Sequence, residues 1–337
     1  MAVEHRVEVY NTSDQLIAIL DKARGLKYSQ TLNRGSNFSF SLDISDPKCT
    51  ESILAGGQNY IKYYRGTQLR WAGEIEHRLE RLASDNESVD VLCVDWFTLL
   101  KNKYITTEEI YTATNEGEIL QALITYAQVQ TNGDLGITFG VNSSTSSRDR
   151  TYSDKNIQEA FVDMSGIIEG VDFEITPARV LNIYDKKSTD RSGSHVFEYG
   201  ININNIERVK DWTALKNDLK GYGADTLIRT ADSPSSHGTY GRRQSIESFT
   251  DDILTATLDR HLEDVLRINA GPMVTYKLTL LPDAQPAYGT YEIGDLITLS
   301  IDRGIVSINQ AVRIYGWNVT ITDEGQEDIE LVVSAVQ

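Results

Sequence analysis

Asn37-Phe38-Ser39-Phe40-Ser41-Leu42-Asp43 places an apolar residue at every second position, with serines between. Side chains of an extended chain alternate between two faces, so Phe38, Phe40 and Leu42 share one face, the mark of a half-buried β-strand. Downstream, Tyr60-Ile61-Lys62-Tyr63-Tyr64 runs into Arg65-Gly66-Thr67, a turn signal, and Gln68-Leu69-Arg70-Trp71-Ala72-Gly73-Glu74-Ile75-Glu76 reads as the return strand. After a polar turn at Ser84-Asp85-Asn86, residues 89–94 are apolar on both faces, as in a central strand. Upstream, Met1 to Asn11 alternates polar and apolar residues, which predicts a strand and not the apolar core of a signal peptide.

The period changes after residue 105. Asn115 is placed to cap a helix, with Glu118 three residues on to complete a capping box and Ile119, Leu120, Leu123, Ile124 and Ala127 as its stripe. A second helix is predicted from Asp154 to Ile168, with Ile157, Ala160, Phe161 and Met164 inward and Gly170 ending it. Residues 171–175 and 180–184 flank Thr176-Pro177-Ala178 as a hairpin does. In the last third, Ser248 is read as the cap of a long helix, with Asp251-Asp252 in its first turn and Leu254, Leu258, Leu262, Val265 and Leu266 buried. From Met273 onward only strands are predicted, at 274–280, 296–301, 311–322 and 329–335.

The fold class expected is mainly β with an α+β insert: two small β-barrels flanking an α/β middle domain. The boundaries are 1–105, 106–210 and 211–337, the last with one long helix at 248–268. The length of 337 residues fits two or three domains. Forty-nine acidic against 32 basic residues give a net charge of -17, which disfavours a surface that grips a phosphate backbone and suits a wall past which DNA slides. No run reaches the roughly 18 apolar residues of a membrane-spanning helix. Cys49 and Cys93 are too few for a disulfide framework, and Cys93 reads as core.

Motifs with chemistry are few. Gly221-Tyr222-Gly223-Ala224 lacks the third glycine and the preceding strand of a dinucleotide-binding loop and is read as a turn. The five histidines are scattered, so no metal-binding pair is seen and no cofactor is expected. His195 with Ser192 and Asp190 offers triad residue types without a nucleophile elbow. Asp323 to Glu330 is read as a solvated hairpin tip before a cation site. Trp71, Trp96, Trp212 and Trp317 are read as barrel core before surface anchors.

These stretches resemble, in order, the hub family of phage tails, the minor tail proteins of long non-contractile (siphovirus) phages that look like the hub of contractile baseplates. The resemblance is carried by residues 38–42, 60–65 and 71–75, by Phe173-Glu174-Ile175-Thr176-Pro177, and by Tyr240-Gly241-Arg242-Arg243. It is better toward the C-terminus, through Tyr291-Glu292-Ile293-Gly294-Asp295-Leu296-Ile297 and residues 311–320. It implies a non-enzymatic virion protein at the tail tip, assembled in the host cytoplasm. The expected assembly is a homotrimer whose paired barrels make a ring continuing the tail tube. Partners implied are the distal tail protein, central tip or fibre proteins and the tape-measure protein in the lumen, with genomic DNA passing transiently. Trp71, Tyr291, Asp295, Arg242 and Arg243 are the candidate interface residues. The rival expectations are a carbohydrate-binding tail protein and a tail-associated glycoside hydrolase with two carboxylates at catalytic separation.

Overall fold

The alternation at 37–43 is a strand, Asn37–Asp43, and Phe38, Phe40 and Leu42 are buried on its inner face. The structure, a computed structural model, describes residues 3–83, 86–167, 170–249 and 254–335. The chain is mainly β. Its dominant feature is a 13-stranded sheet built from both ends of the sequence. Eleven of the strands pair along one path, Leu296–Arg303 and Val196–Glu198 branch from it at Val306–Ile321, and among the described residues no closed barrel forms.

Two stretches of that sheet repeat one design. In the N-terminal half the pairing order is Arg24–Thr31, Asn37–Asp43, Asn86–Asp95, Gln68–Ala83, Tyr60–Arg65. In the C-terminal half it is Ile203–Asp211, Met273–Leu280, Glu327–Ala335, Val306–Ile321, Leu296–Arg303. Both long strands span 16 residues and both follow an Arg-Gly turn, Arg65-Gly66 and Arg303-Gly304, whose glycine sits at φ 57°. Each long strand is bulged near its middle, between Ile75 and His77 and between Ile314 and Gly316. At each bulge the isoleucine bonds the same kind of incoming segment. Ile75 N donates to Asn59 O at 3.2 Å and its carbonyl accepts from Gly57 at 3.1 Å; Ile314 N donates to Asp295 O at 3.0 Å and its carbonyl accepts from Gly294 at 2.8 Å.

The halves join where residues 27–31 pair antiparallel with residues 316–320. Their inner faces close over a single core that takes in Val9, Phe38, Trp71, Tyr291, Trp317 and Leu331. The middle of the chain has its own core, in which α1 (Glu116–Gln128) and α2 (Ile157–Gly166) pack on the hairpin Asp172–Ile175 with Val180–Tyr184. Asn115 Oδ1 accepts from Gly117 and Glu118, and Asn156 Oδ1 from Glu159, so each helix begins on an asparagine cap. The second helix is shorter than its periodicity suggests: Asp154 adopts a positive φ before the cap, and Ile168 lies outside the described residues.

A third, smaller core lies between the paired ends of Ile203–Asp211 and Met273–Leu280. There Asp218–Tyr222, Ile228–Asp232 and Gln244–Ser248 form a sheet under α4 (Thr255–Asn269), α3 being the short helix Pro234–Tyr240. Gly221 lies inside a strand and not in a turn, and a Cβ there would meet Leu262 at 2.8 Å. Ser248 does not cap the long helix. It ends a strand whose partner is Asp218–Tyr222, and the helix starts at Thr255 with Leu254 exposed. Asp251 and Asp252, like Ser84 and Asp85, lie outside the described residues. Pairing in the C-terminal half begins with Val196–Glu198 on Leu296–Arg303, ahead of the sequence boundary at 211.

Phe38 touches Phe40, Tyr63 and Trp71, with ring centroids at 6.0, 5.1 and 5.3 Å. Phe38→Ala is expected to cost about 3–5 kcal/mol, read as a lower denaturation midpoint by tryptophan fluorescence; an unchanged midpoint would remove this ring from the core's support.

Candidate functional site

The seam between the two halves is built on aromatic rings. Trp71, Phe38, Tyr63 and Tyr28 follow one another at centroid spacings of 5.1–5.4 Å. The Tyr28 hydroxyl then bonds that of Tyr288, whose ring meets Trp317 edge-on at 5.4 Å. Pairs of this kind each contribute about 0.5–1.5 kcal/mol beyond the area they bury. Burial pushes the phenols of Tyr28 and Tyr288 upward, so both stay protonated and able to share their hydrogen bond.

Two arginines of the first hairpin lock this row to the C-terminal half. Arg65 binds Glu327 with both ends of its fork, Nε to Oε1 at 2.6 Å and Nη2 to Oε2 at 2.8 Å. Arg70 reaches Glu292 at 3.0 Å and lies 5.1 Å from the Tyr288 ring centroid. A planar guanidinium suits both tasks, since it forks onto a carboxylate and stacks on a ring. His5 adds a polar tie, Nδ1 to the Tyr63 hydroxyl at 2.8 Å and Nε2 to the Gly325 carbonyl at 3.3 Å.

A second junction binds all three sections of the chain. Asp172, at the start of the middle hairpin, accepts from Asn33 Nδ2 and from Lys187 N, each at 2.8 Å, and pairs with Arg313. Arg313 also donates to the carbonyls of Gly294 at 3.2 Å and Lys187 at 2.8 Å. Asn33 returns a bond, its Oδ1 accepting from Phe173 N at 2.8 Å. Asp172 and Arg313 are both buried, so every polar atom there needs the partner it has.

The residues expected at an interface divide by burial. Trp71 (1% exposed) and Tyr291 (0%) have no surface to offer a partner and serve the seam instead. Asp295, 5% exposed, accepts from Thr189 N at 3.1 Å, Arg191 Nε at 2.7 Å and Glu292 N at 3.0 Å. The Gly-Asp pair is thus a clamp on residues 187–191, and Gly294 is required because a Cβ would meet Lys187 O at 2.1 Å with φ at +99°. Arg242 and Arg243 are exposed; Arg242 pairs with Asp218, and Arg243 lines an open cleft with Lys210, Trp212 and Tyr240. The sequence missed Asn33, Asp172 and Arg313, polar residues whose only signal is each other, across 141 positions for the ion pair.

Ser192 bonds Asp190, while His195 meets Ser194 at 2.9 Å and Thr290 at 3.1 Å, so the three triad residue types do not assemble. Among the described residues no group of three or more His, Cys, Asp or Glu side chains could hold a metal ion. Trp71, Trp96 and Trp317 are buried; Trp212 is 51% exposed. Among the described residues no helix is long and apolar enough to cross a membrane.

Removing one partner of a buried ion pair strands the other, so Asp172→Ala is expected to lower stability by about 3–5 kcal/mol in denaturant unfolding. Asp172→Leu with Arg313→Met is expected to recover most of that loss; no recovery would assign the cost to packing alone. Burial also lowers the pKa of His5 below the ordinary histidine value, against the opposing pull of Glu327. The unfolded chain then takes up the proton first, so His5 costs stability as pH falls below about 6.5 and nothing above it. Calorimetry from pH 7 to about 5.5 should show a falling Tm, with a shallower fall in His5→Gln; equal slopes would exclude His5 as the titrating group.

A comparison with curated protein sequences gave no match. Residues 190–332 match the family described as prophage endopeptidase tail. Among solved structures, the chain is similar to the 43 kDa tail protein of prophage MuSo2 from Shewanella oneidensis, with TM-score 0.72, 10% identity, and 98% of each chain covered. It is similar also to a tail protein from Neisseria meningitidis MC58, with TM-score 0.71, 10% identity, and 98% of this chain and 96% of that one covered. A third likeness is to an Escherichia coli component of the type VI secretion system described as structurally similar to the T4 bacteriophage tail proteins gp27 and gp5. The TM-score is 0.55 at 11% identity, with 94% of this chain and 74% of that one covered. The likeness to phage tail proteins read from the sequence therefore holds in fold over nearly the whole chain, and residues 190–332 match one family model.

Proposed function

We propose that this chain is a structural hub at the tip of a long phage tail, three copies of which form a ring that continues the tail tube. The observation that carries this reading is the duplicated five-strand order, joined edge to edge by residues 27–31 and 316–320. A chain with two related units side by side has the makings of a trimer that meets a sixfold tube. In this reading the two β units form the wall of the ring, and the middle section and residues 212–271 stand outward from them. The hub connects the distal tail protein to the central tip or fibre proteins. Its negative charge, -51 for three chains of -17, lets the tape-measure protein and then DNA pass without adhering.

In this reading the function is mechanical. The matched family is described with the word endopeptidase, yet His195 has Ser194 and Thr290 as its partners, and no carboxylate bonds it among the described residues. A base without an orienting acid lacks one of the three roles of a hydrolytic triad. Aromatics on exposed loops would favour the carbohydrate-binding rival, and of the four tryptophans three are buried and Trp212 is exposed.

Imaging of tail particles with this chain labelled should place the label around the tail axis at the distal end, and native mass measurement of the assembled species should give three chains. A label confined to peripheral fibres would overturn the hub reading.

A further inference from the structure

The duplicated design leaves one pairing unmade. Residues 27–31 of the first unit lie on residues 316–320 of the second, yet the equivalent edges, one on each unit, have no partner among the described residues. Ile75 and Ile314 precede the matching bulges, and they sit opposite Cys93 and Val333. Cys93 faces Phe38 and Val333 faces Tyr276; Phe38 in turn faces Tyr28 and Tyr276 faces Arg208. Tyr28 is therefore equivalent to Arg208, and Gly316 to His77. The strand segment that corresponds to 27–31 is 207–211, and the segment that corresponds to 316–320 is 77–81.

Both segments are bare sheet edges. Residues 77–83 pair only with Asn86–Asp95, and residues 205–211 only with Met273–Leu280. Each carries apolar side chains into solvent, Leu79 at 44% and Leu82 at 77% exposure on one, Val209 at 54% on the other. A long edge strand with exposed apolar residues and no proline is a template for another strand.

From these edges the geometry points to a second copy of this chain as the occupant: residues 77–82 of one copy pair antiparallel with residues 206–211 of the next. The register is the one that residues 316–320 and 27–31 already use within the chain. That register was not chosen for charge, yet it sets Glu80 opposite Arg208, Arg81 opposite Glu207 and His77 opposite Asp211. It sets Leu79 opposite Val209, and one step further Leu82 opposite Ile206. The only like-charged match is Arg78 with Lys210, and Arg78 is already held by Glu51 at 2.8 Å and by the Leu54 carbonyl at 3.1 Å. Opposite charges and apolar pairs directly across two strands stabilise them, and like charges do the reverse. The two edges differ from each other, so the contact is head-to-tail and closes into a ring when the rotation between copies allows it. The pairing names the surface of the proposed ring and in that respect rests on the hub reading.

The test is a disulfide placed across the seam of the full chain at the two exposed positions, Leu79→Cys with Val209→Cys. Directly opposed strand residues have Cα atoms about 4.5–5.5 Å apart, within reach of a disulfide. A mild oxidant, taking up the two electrons and two protons that the thiols lose, should yield linked species of two and three chains. The register control, Leu79→Cys with Glu207→Cys, should link far less. In the cysteine pair, Arg81→Glu should slow linking about two- to fivefold, and adding Glu207→Arg should restore it. A three-chain species without the Leu79–Val209 link overturns this pairing and leaves the ring. Open-ended ladders beyond three chains support the pairing and overturn ring closure. Absence of any linked species at high protein concentration, or equal linking by the register control, overturns the pairing.

Discussion

The pairing of residues 27–31 with residues 316–320 is the constraint from which the rest of the arrangement follows. It lies between segments almost 300 positions apart in sequence, and it decides that the two ends of the chain share one core. The approach is close enough to demand glycine at 316, where a Cβ would meet the Gln30 carbonyl at 2.6 Å. Beside it, Trp317 Nε1 donates to Gln30 Oε1 at 2.9 Å, so the ring that fills the seam is also fixed in register. One-residue slippage of a strand exchanges its inner and outer faces. Here a slip would carry Tyr28 or Val319, both buried, into solvent, according to which strand moves.

The ion pairs at the seam act on geometry more than on net stability. A buried pair such as Asp172 with Arg313 gives back much of its attraction as lost hydration. What it does supply is a demand for three partners at fixed positions, since Asn33, Lys187 and Gly294 must all present the right atom. The middle section is thereby oriented on the sheet by groups that belong to neither of its helices.

Local order and the two hairpins were legible in the sequence, and long-range partnership was not. Period-two alternation is a property of a single strand, so residues 37–43, 60–65 and 68–76 could be read without knowing their neighbours. The asparagine caps at 115 and 156 act over three residues, and the first of them was equally plain. The long helix was misread at its start because a cap and a strand end look alike: Ser248 satisfies a ladder with Tyr222, a residue far away in sequence. Val306–Ile321 was read as beginning at 311, since its first residues alternate weakly on an exposed hairpin. Trp71, Tyr291 and Asp295 were read as interface candidates, and within the chain they are buried, the first two in the packing of the seam and the third in a clamp. Exposure depends on what folds over a side chain, which no local pattern reports.

The unit at residues 212–271 leaves the large sheet at Asp211 and returns at Met273, residues that face each other across one antiparallel pair. Its counterpart in the first half is the short turn after Thr31. From the sheet's side these two are the same object, a connection whose ends are already held together. The entropy of closing such a connection grows only with the logarithm of its length, about 0.6 kcal/mol for each doubling. A self-contained unit can therefore occupy the position of a turn with little penalty to the scaffold, and this corner of the fold is a socket whose contents can change in size without disturbing the sheet.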